Sequence, residues 1–147
     1  MKKTLIYMTM AILLGGICGK ILYDKYEDTS FVFNNEEMVY FLQEGVYSSL
    51  ESLNRNTKDI SKVIIKENDK YYAYVGISKS KDGIEKIKDV YKNKGYSTYQ
   101  KERTIDDETF LTNLTQYDIL LDSAKTNDDI LTIQEVVLAN FEELTKN

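Results

Sequence analysis

Apolar and polar positions follow one pattern in the first 23 residues and several others after them. Thr4–Tyr23 (TLIYMTMAILLGGICGKILY) is apolar on every side of a helix, with Lys20 as its only charge. At 1.5 Å rise per residue, a helix of that length spans about 30 Å, one hydrocarbon core. The pattern therefore predicts a transmembrane signal anchor over residues 1–23, with Lys20 reaching the interface by its stem and Tyr7 and Tyr23 at interfacial depth. Lys2 and Lys3 keep the N-terminus cytoplasmic, which puts everything beyond Tyr23 on the extracytoplasmic side. No small-x-small cleavage site follows Gly19, and Ile17 stands before Cys18 where a lipoprotein signal has a small residue, so the anchor stays attached.

Residues 24–38 show no clean period and read as a stalk, with Phe31-Val32-Phe33 tucked against the domain that follows. From there the period alternates between two and 3.6. Val39–Tyr47 is a strand by its β-branched and aromatic content, and Ser48/Ser49 cap a helix carrying Leu50, Leu53 and Thr57. Lys62–Lys66 and Tyr71–Ile77 are two strands joined by a turn at Asn68-Asp69. A second helix aligns Ile84, Ile87 and Val90/Tyr91 and ends at Gly95, and Tyr96–Lys101 is a fourth strand. The order over residues 39–101 is βαββαβ, which predicts an α+β fold: a split-βαβ, ferredoxin- or RNP-like antiparallel sheet with two helices on one face.

Residues 102–147 read as an acidic helical hairpin, with its first helix over Asp107–Asp122. Phe110, Leu111, Leu114, Tyr117 and Leu121 form one stripe, and Ile130, Ile133, Val137, Phe141 and Leu144 form a second, behind a cap at Thr126 or Asn127. The short connection makes the two a C-terminal antiparallel hairpin. Charge separates this tail from the rest: residues 40–101 hold 12 bases and 8 acids, while residues 102–147 hold 3 bases and 11 acids. Opposite signs predict that the hairpin docks on the module.

Composition narrows the chemistry. There is no His and a single Cys, which removes imidazole-based nucleophilic catalysis and the usual zinc ligand sets. A small wall hydrolase working through two carboxylates remains, but no pair of acids stands out from ordinary surface charge. The expectation is a protein that is not an enzyme and takes no cofactor or metal.

The strongest motif is an internal repeat. Phe41-Leu42-Gln43-Glu44-Gly45-Val46-Tyr47 and Tyr72-Ala73-Tyr74-Val75-Gly76-Ile77-Ser78 match at an offset of 31 residues, half of the βαββαβ unit. Each copy is an aromatic-led strand with Gly fifth, followed by a hydroxyl-rich turn and a helix. In Phe41, Gln43, Gly45 and Tyr47, then Tyr72, Val75, Gly76 and Ile77, with Gly95-Tyr96 closing the second half, the chain resembles the SPOR domain of bacterial envelope proteins. The resemblance covers residues 39–101. It implies noncatalytic binding of peptidoglycan, typically glycan strands stripped of stem peptides, in division, sporulation or wall maintenance. The sequence departs from the family pattern at Glu44, where an apolar residue is usual, and at Tyr72 and Tyr74, which replace frequent polar residues.

Strand alternation assigns Leu42, Val46, Ala73, Val75 and Ile77 to one side of the sheet and Phe41, Gln43, Gly45, Tyr72, Tyr74 and Gly76 to the other. If helices cover only the first side, the second is an open aromatic and amide surface. Tyrosine offers a sugar both a flat apolar ring and a polar tip, and 8 of the 12 tyrosines lie between Tyr40 and Tyr99. Phe41, Gln43, Tyr47, Tyr72 and Tyr74 are accordingly the expected glycan-binding residues. The alternative is a membrane-anchored scaffold that recruits another envelope protein through the acidic tail of residues 102–147. RNA-recognition domains share the strand order, but the extracytoplasmic placement and the scattered lysines of residues 79–94 argue against a nucleic-acid partner.

Overall fold

The computed structural model describes residues 36–146, which fall within one unit. The predicted anchor, Cys18 and most of the predicted stalk, including Phe31-Val32-Phe33, lie outside the described residues. Among the described residues, no helix is long and apolar enough to cross a membrane.

The fold is α+β. In chain order the elements are β1 (Glu37–Tyr47), α1 (Leu50–Asn56), β2 (Val63–Glu67), β3 (Lys70–Ser78), α2 (Lys81–Asn93), β4 (Tyr99–Ile105), α3 (Glu108–Ser123) and α4 (Asn127–Thr145). The four strands form one antiparallel sheet in the order β2-β3-β1-β4. Local chemistry accounts for the boundaries. Asn68 and Asp69 take φ of 50° and 58°, the left-handed conformations that a two-residue hairpin turn requires and that Asn and Asp tolerate. The side chains of Ser49, Ser80, Asp107 and Thr126 accept N–H groups at the starts of the four helices, and Asp129 completes a capping box with Thr126.

β4 begins later and ends later than its sequence predicts. Gly95 turns with φ +88° and the Tyr96 N–H bonds back to the Tyr91 carbonyl, so residues 95–96 close α2 and cannot join the ladder. The strand continues instead through Arg103 to Ile105, pairing with Val39 and Glu37 of β1. Glu37 and Met38, read as the end of the stalk, are thereby the first residues of the sheet.

Two bulges rearrange the central pair. Leu42 faces Gly76 but Gln43 faces Tyr74, so Val75 is extra on β3; Gly45 then faces Ala73, so Glu44 is extra on β1. Each bulge breaks the two-residue period. Val46 and Ile77, expected beside Leu42, consequently share the face of Phe41, Gln43, Tyr72 and Tyr74, and Gly45 leaves that face. Gly76 still allows close approach, since a Cβ there would meet Ile87 Cγ2 of α2 at 2.8 Å.

Both faces of the sheet are covered. On the Leu42 face, Leu42 and Val75 pack with Ile84, Ile87, Val90 and Tyr91 of α2. On the Phe41 face, Val39, Phe41, Val63, Tyr74 and Ile77 pack with Phe110, Leu111 and Leu114 of α3 and Val137, Leu138 and Phe141 of α4. Phe41 sits edge-on to both Tyr74 and Phe141, with ring centroids 5.4 and 5.0 Å away. The expected docking of the hairpin is observed, and its contacts are chiefly apolar. The open aromatic face expected from the sequence is therefore corrected: Phe41 is 0% exposed, Tyr74 2% and Gln43 6%.

Polar contacts fix the register of the hairpin on the sheet. Gln134, buried in α4, accepts the Ile77 N–H of β3 through Oε1 at 2.8 Å. Replacing it with Leu keeps the volume but leaves that N–H buried without a partner, so Gln134→Leu is expected to lower unfolding free energy by about 1–3 kcal/mol in a denaturant titration. At the β3–α2 turn, Asp118 of α3 accepts the Ser78 hydroxyl at 2.7 Å and the Lys79 N–H at 2.8 Å. Burial pushes the Asp118 carboxyl above its ordinary range, against the lowering effect of those two hydrogen bonds. A group whose pKa is raised by folding stabilises most when protonated, and this contribution is lost as pH rises through the folded-state value. The stability gap between the native protein and Asp118→Ala is thus expected to widen as pH falls from 7 toward 4, measured by thermal melts across that range.

Candidate functional site

The hairpin does not reach the whole Phe41 face. At the end of β1 opposite Glu37, a groove of about 440 Å³ remains, lined by Gln43, Val46, Glu67, Tyr72, Tyr74, Lys101, Glu102 and Arg103. Register explains why these residues meet. Gln43 faces Tyr74 and Val46 faces Tyr72 across β1 and β3, while Lys101 and Arg103 lie opposite Phe41 and Val39 across β1 and β4. Without the Glu44 bulge, Val46 would point to the other face.

Arg103 organises the floor of the groove. Its Nη1 donates to Glu67 Oε1 at 2.9 Å and its Nη2 to the Tyr74 hydroxyl at 2.8 Å. The guanidinium carbon lies 5.1 Å from the Tyr74 ring centroid and 6.0 Å from that of Phe41. Burial disfavours the charge of Arg103, but hydrogen bonds to Glu67 and Tyr74 outweigh it, so its pKa is raised and it is a cation at any working pH. The single fork thereby ties β4 to the end of β2 and the middle of β3. Tyr72 stays half-buried beside it, and Val46 is 44% exposed.

Of the five expected site residues, the structure brings Gln43, Tyr72 and Tyr74 together in this groove. Tyr74 presents an anchored hydroxyl there, since its ring belongs to the core. Phe41 lies wholly in the core beneath α4 and is a correction to the expected set. Tyr47 is elsewhere. Its hydroxyl donates to Glu44 Oε2 at 2.7 Å, and its ring covers Gly45, whose added Cβ would meet Tyr47 Cε2 at 2.9 Å. Partial burial, then the hydrogen bond and charge of Glu44, push the Tyr47 phenol up to about 12, so it remains a neutral donor.

Sequence reasoning missed Glu67, Lys101 and Arg103 as a set. A signal for the last two was present, because Lys101-Glu102-Arg103-Thr104-Ile105 alternates and ends in β-branched residues, a strand pattern that could have carried β4 past Lys101. Two other surface depressions lack a comparable arrangement. One lies between the open ends of α3 and α4, lined by residues such as Asn113 and Asn140. The other is at the C-terminal end of α2, where Lys88 and Lys92 sit near the negative end of a helix dipole. Among the described residues, no cluster of three or more His, Cys, Asp or Glu is placed to hold a metal ion.

Comparison with known proteins adds no relative: neither a protein-family model, nor a curated protein, nor a solved structure matches this chain.

Proposed function

We propose that this chain is a bitopic bacterial envelope protein whose SPOR-like domain binds peptidoglycan glycan strands without cleaving them, in division, sporulation or wall maintenance. In this reading residues 1–23 anchor it in the membrane with the domain outside. β1–β4 with α1 and α2 are a split-βαβ module of the SPOR kind, and α3 and α4 are an addition that occupies part of the binding face. The observation that carries the reading is the groove, in which Gln43, Tyr72 and Tyr74 from both copies of the internal repeat converge. An amide, a half-exposed aromatic ring, a fixed phenol and an ion pair are the groups that a sugar's C–H face, hydroxyls and N-acetyl arm would meet.

The test is cosedimentation of the full chain, kept soluble in mild detergent, with purified cell walls before and after amidase removal of stem peptides. Binding should rise on stripped walls. Tyr72→Ala should weaken it about tenfold, the effect of losing one stacking contact, with little change in melting temperature. Equal loss from a variant on the opposite face, such as Lys92→Ala, would remove the groove from the account.

A second reading, a scaffold that recruits another envelope protein through residues 102–147, draws on a different observation. Ile119, Leu120 and Val136 are 57%, 54% and 43% exposed on α3 and α4. Only this outer surface is available to a partner, since the inner stripes are consumed by the sheet.

A further inference from the structure

The depression at the C-terminal end of α2 is built differently from the groove. It measures about 380 Å³ and is lined by Lys88, Lys92, Tyr96, Ser97, Thr98 and Tyr99. Each of these side chains carries an N–H or O–H donor. Among the described residues no carboxylate lines it, whereas Glu67 and Glu102 line the groove and Asp107 and Glu143 line the depression between α3 and α4. Lys88 and Lys92 are one turn apart on one side of α2, about 5–6 Å from Cβ to Cβ. Gly95 turns the chain back toward them with φ +88°, and the Tyr96 ring stands edge-on to Tyr91, with centroids 6.2 Å apart. Lys92 and the hydroxyls of Tyr96, Ser97, Thr98 and Tyr99 have no hydrogen-bond or ion-pair partner among the described residues. Lys88 has Glu85 at 3.6 Å, an exposed pair that contributes little. A helix C-terminus ordinarily repels an anion. Here the carbonyls of Val90, Tyr91 and Lys92 are taken by the N–H groups of Lys94, Gly95 and Tyr96, which leaves the two ammonium groups to set the local charge.

We propose that this depression is a second binding site, independent of the groove, for the phosphodiester of a polyol phosphate. Lys88 and Lys92 stand at a spacing that one phosphate group bridges, each ammonium donating to one of its oxygens. The row of Tyr96, Ser97, Thr98 and Tyr99 hydroxyls beside them meets the hydroxyls of the attached polyol, and the Tyr99 ring, 59% exposed, meets its C–H groups. A volume of about 380 Å³ is more than a lone anion fills, which is why the polyol belongs to the ligand. α2 covers the Leu42 face of the sheet, so this site and the groove are on opposite faces and do not compete. Both ammonium groups are solvent-accessible, so binding weakens with added salt. The same chemistry is carried by a free polyol phosphate chain and by a glycerophospholipid headgroup.

The full chain in mild detergent is titrated with poly(glycerol phosphate) and with polyglutamate, a polyanion that has neither phosphate nor hydroxyl groups. The native protein should bind the phosphate polymer about tenfold more tightly than polyglutamate. Lys88→Gln combined with Lys92→Gln should bring both polymers to the same weak level, with an unchanged melting temperature. Lys70→Gln, at an exposed lysine of the β2–β3 turn, should leave the preference as it is. Equal binding of the two polymers by the native protein would overturn the proposal, because any cationic surface would do as much. So would a preference that survives the double substitution, or no binding of either polymer. Hydrogen exchange in phosphatidylcholine nanodiscs, with and without phosphatidylglycerol, separates the two sources. Slower exchange at residues 95–99 with phosphatidylglycerol would make the ligand a lipid headgroup, and unchanged exchange there, with the polymer bound, would make it a free chain. The double variant should still bind phosphate-free cell walls as the native protein does. Loss of wall binding together with polymer binding would overturn the independence of the two sites.

Discussion

A chain ended after Ile105 is expected to have no stable sheet. The truncation removes α3 and α4 and uncovers Val39, Phe41, Val63, Tyr74 and Ile77, all at 2% exposure or less in the intact fold. Each such side chain gains about 1.5–3 kcal/mol from burial, so losing cover from five of them approaches or exceeds the 5–15 kcal/mol that separates a typical native domain from its unfolded state. The truncation also deletes Gln134 and Asp118, orphaning the N–H groups of Ile77 and Lys79. Circular dichroism and a denaturant titration read the result: the fragment should show no cooperative transition, whereas the intact protein unfolds in a single step. A cooperative transition with native-like strand content would mean that the hairpin is a separable appendage.

Phe141→Ala tests the same contact with a smaller lesion. The ring lies 5.0 Å from Phe41 and 5.4 Å from Phe110, centroid to centroid, and links α4 to both β1 and α3. Its removal deletes buried area and leaves a cavity that rigid neighbours only partly fill, which costs about 3–5 kcal/mol for a buried aromatic. The midpoint of a denaturant titration should fall accordingly. An exposed substitution on the same helix, Val136→Ala at a 43% exposed position, should change it by no more than about 0.5 kcal/mol.

These two expectations show where sequence reading succeeded and where it stopped. The elements themselves were legible because their periods are clean. The stripe of Ile84, Ile87, Val90 and Tyr91 packs as read, and Ser49 and Thr126 cap their helices. The turn at Asn68-Asp69 and the close of α2 at Gly95 follow from residue types that tolerate positive φ. The sheet order follows from the βαββαβ sequence.

What could not be read was how far the period holds. Nothing in the run from Leu42 to Val46 announces that Glu44 is the extra residue, and a single insertion exchanges the faces of everything beyond it. Docking of the hairpin on the module was read from charge, but the face it covers was equally hidden. Its stripes required burial, but an amphipathic helix does not name the surface it covers. Phe41 consequently read as a ligand platform although it is the centre of a core. Gln43, Tyr72 and Tyr74 reached the groove because they lie on that face toward the end where the hairpin's cover stops, and Arg103 escaped notice because β4 was ended at Lys101, four residues early.

The claim at the centre of this account is that a glycan is held in the groove while the hairpin stays on the sheet. Hydrogen exchange on the full chain, with and without saturating peptide-free glycan strands, tests it directly. The account predicts slower exchange on binding at residues 43–46, 71–74 and 99–103, with exchange across 108–145 unchanged. Faster exchange across 108–145 on binding would contradict it, because that would mean the hairpin lifts and the ligand takes the face of Phe41.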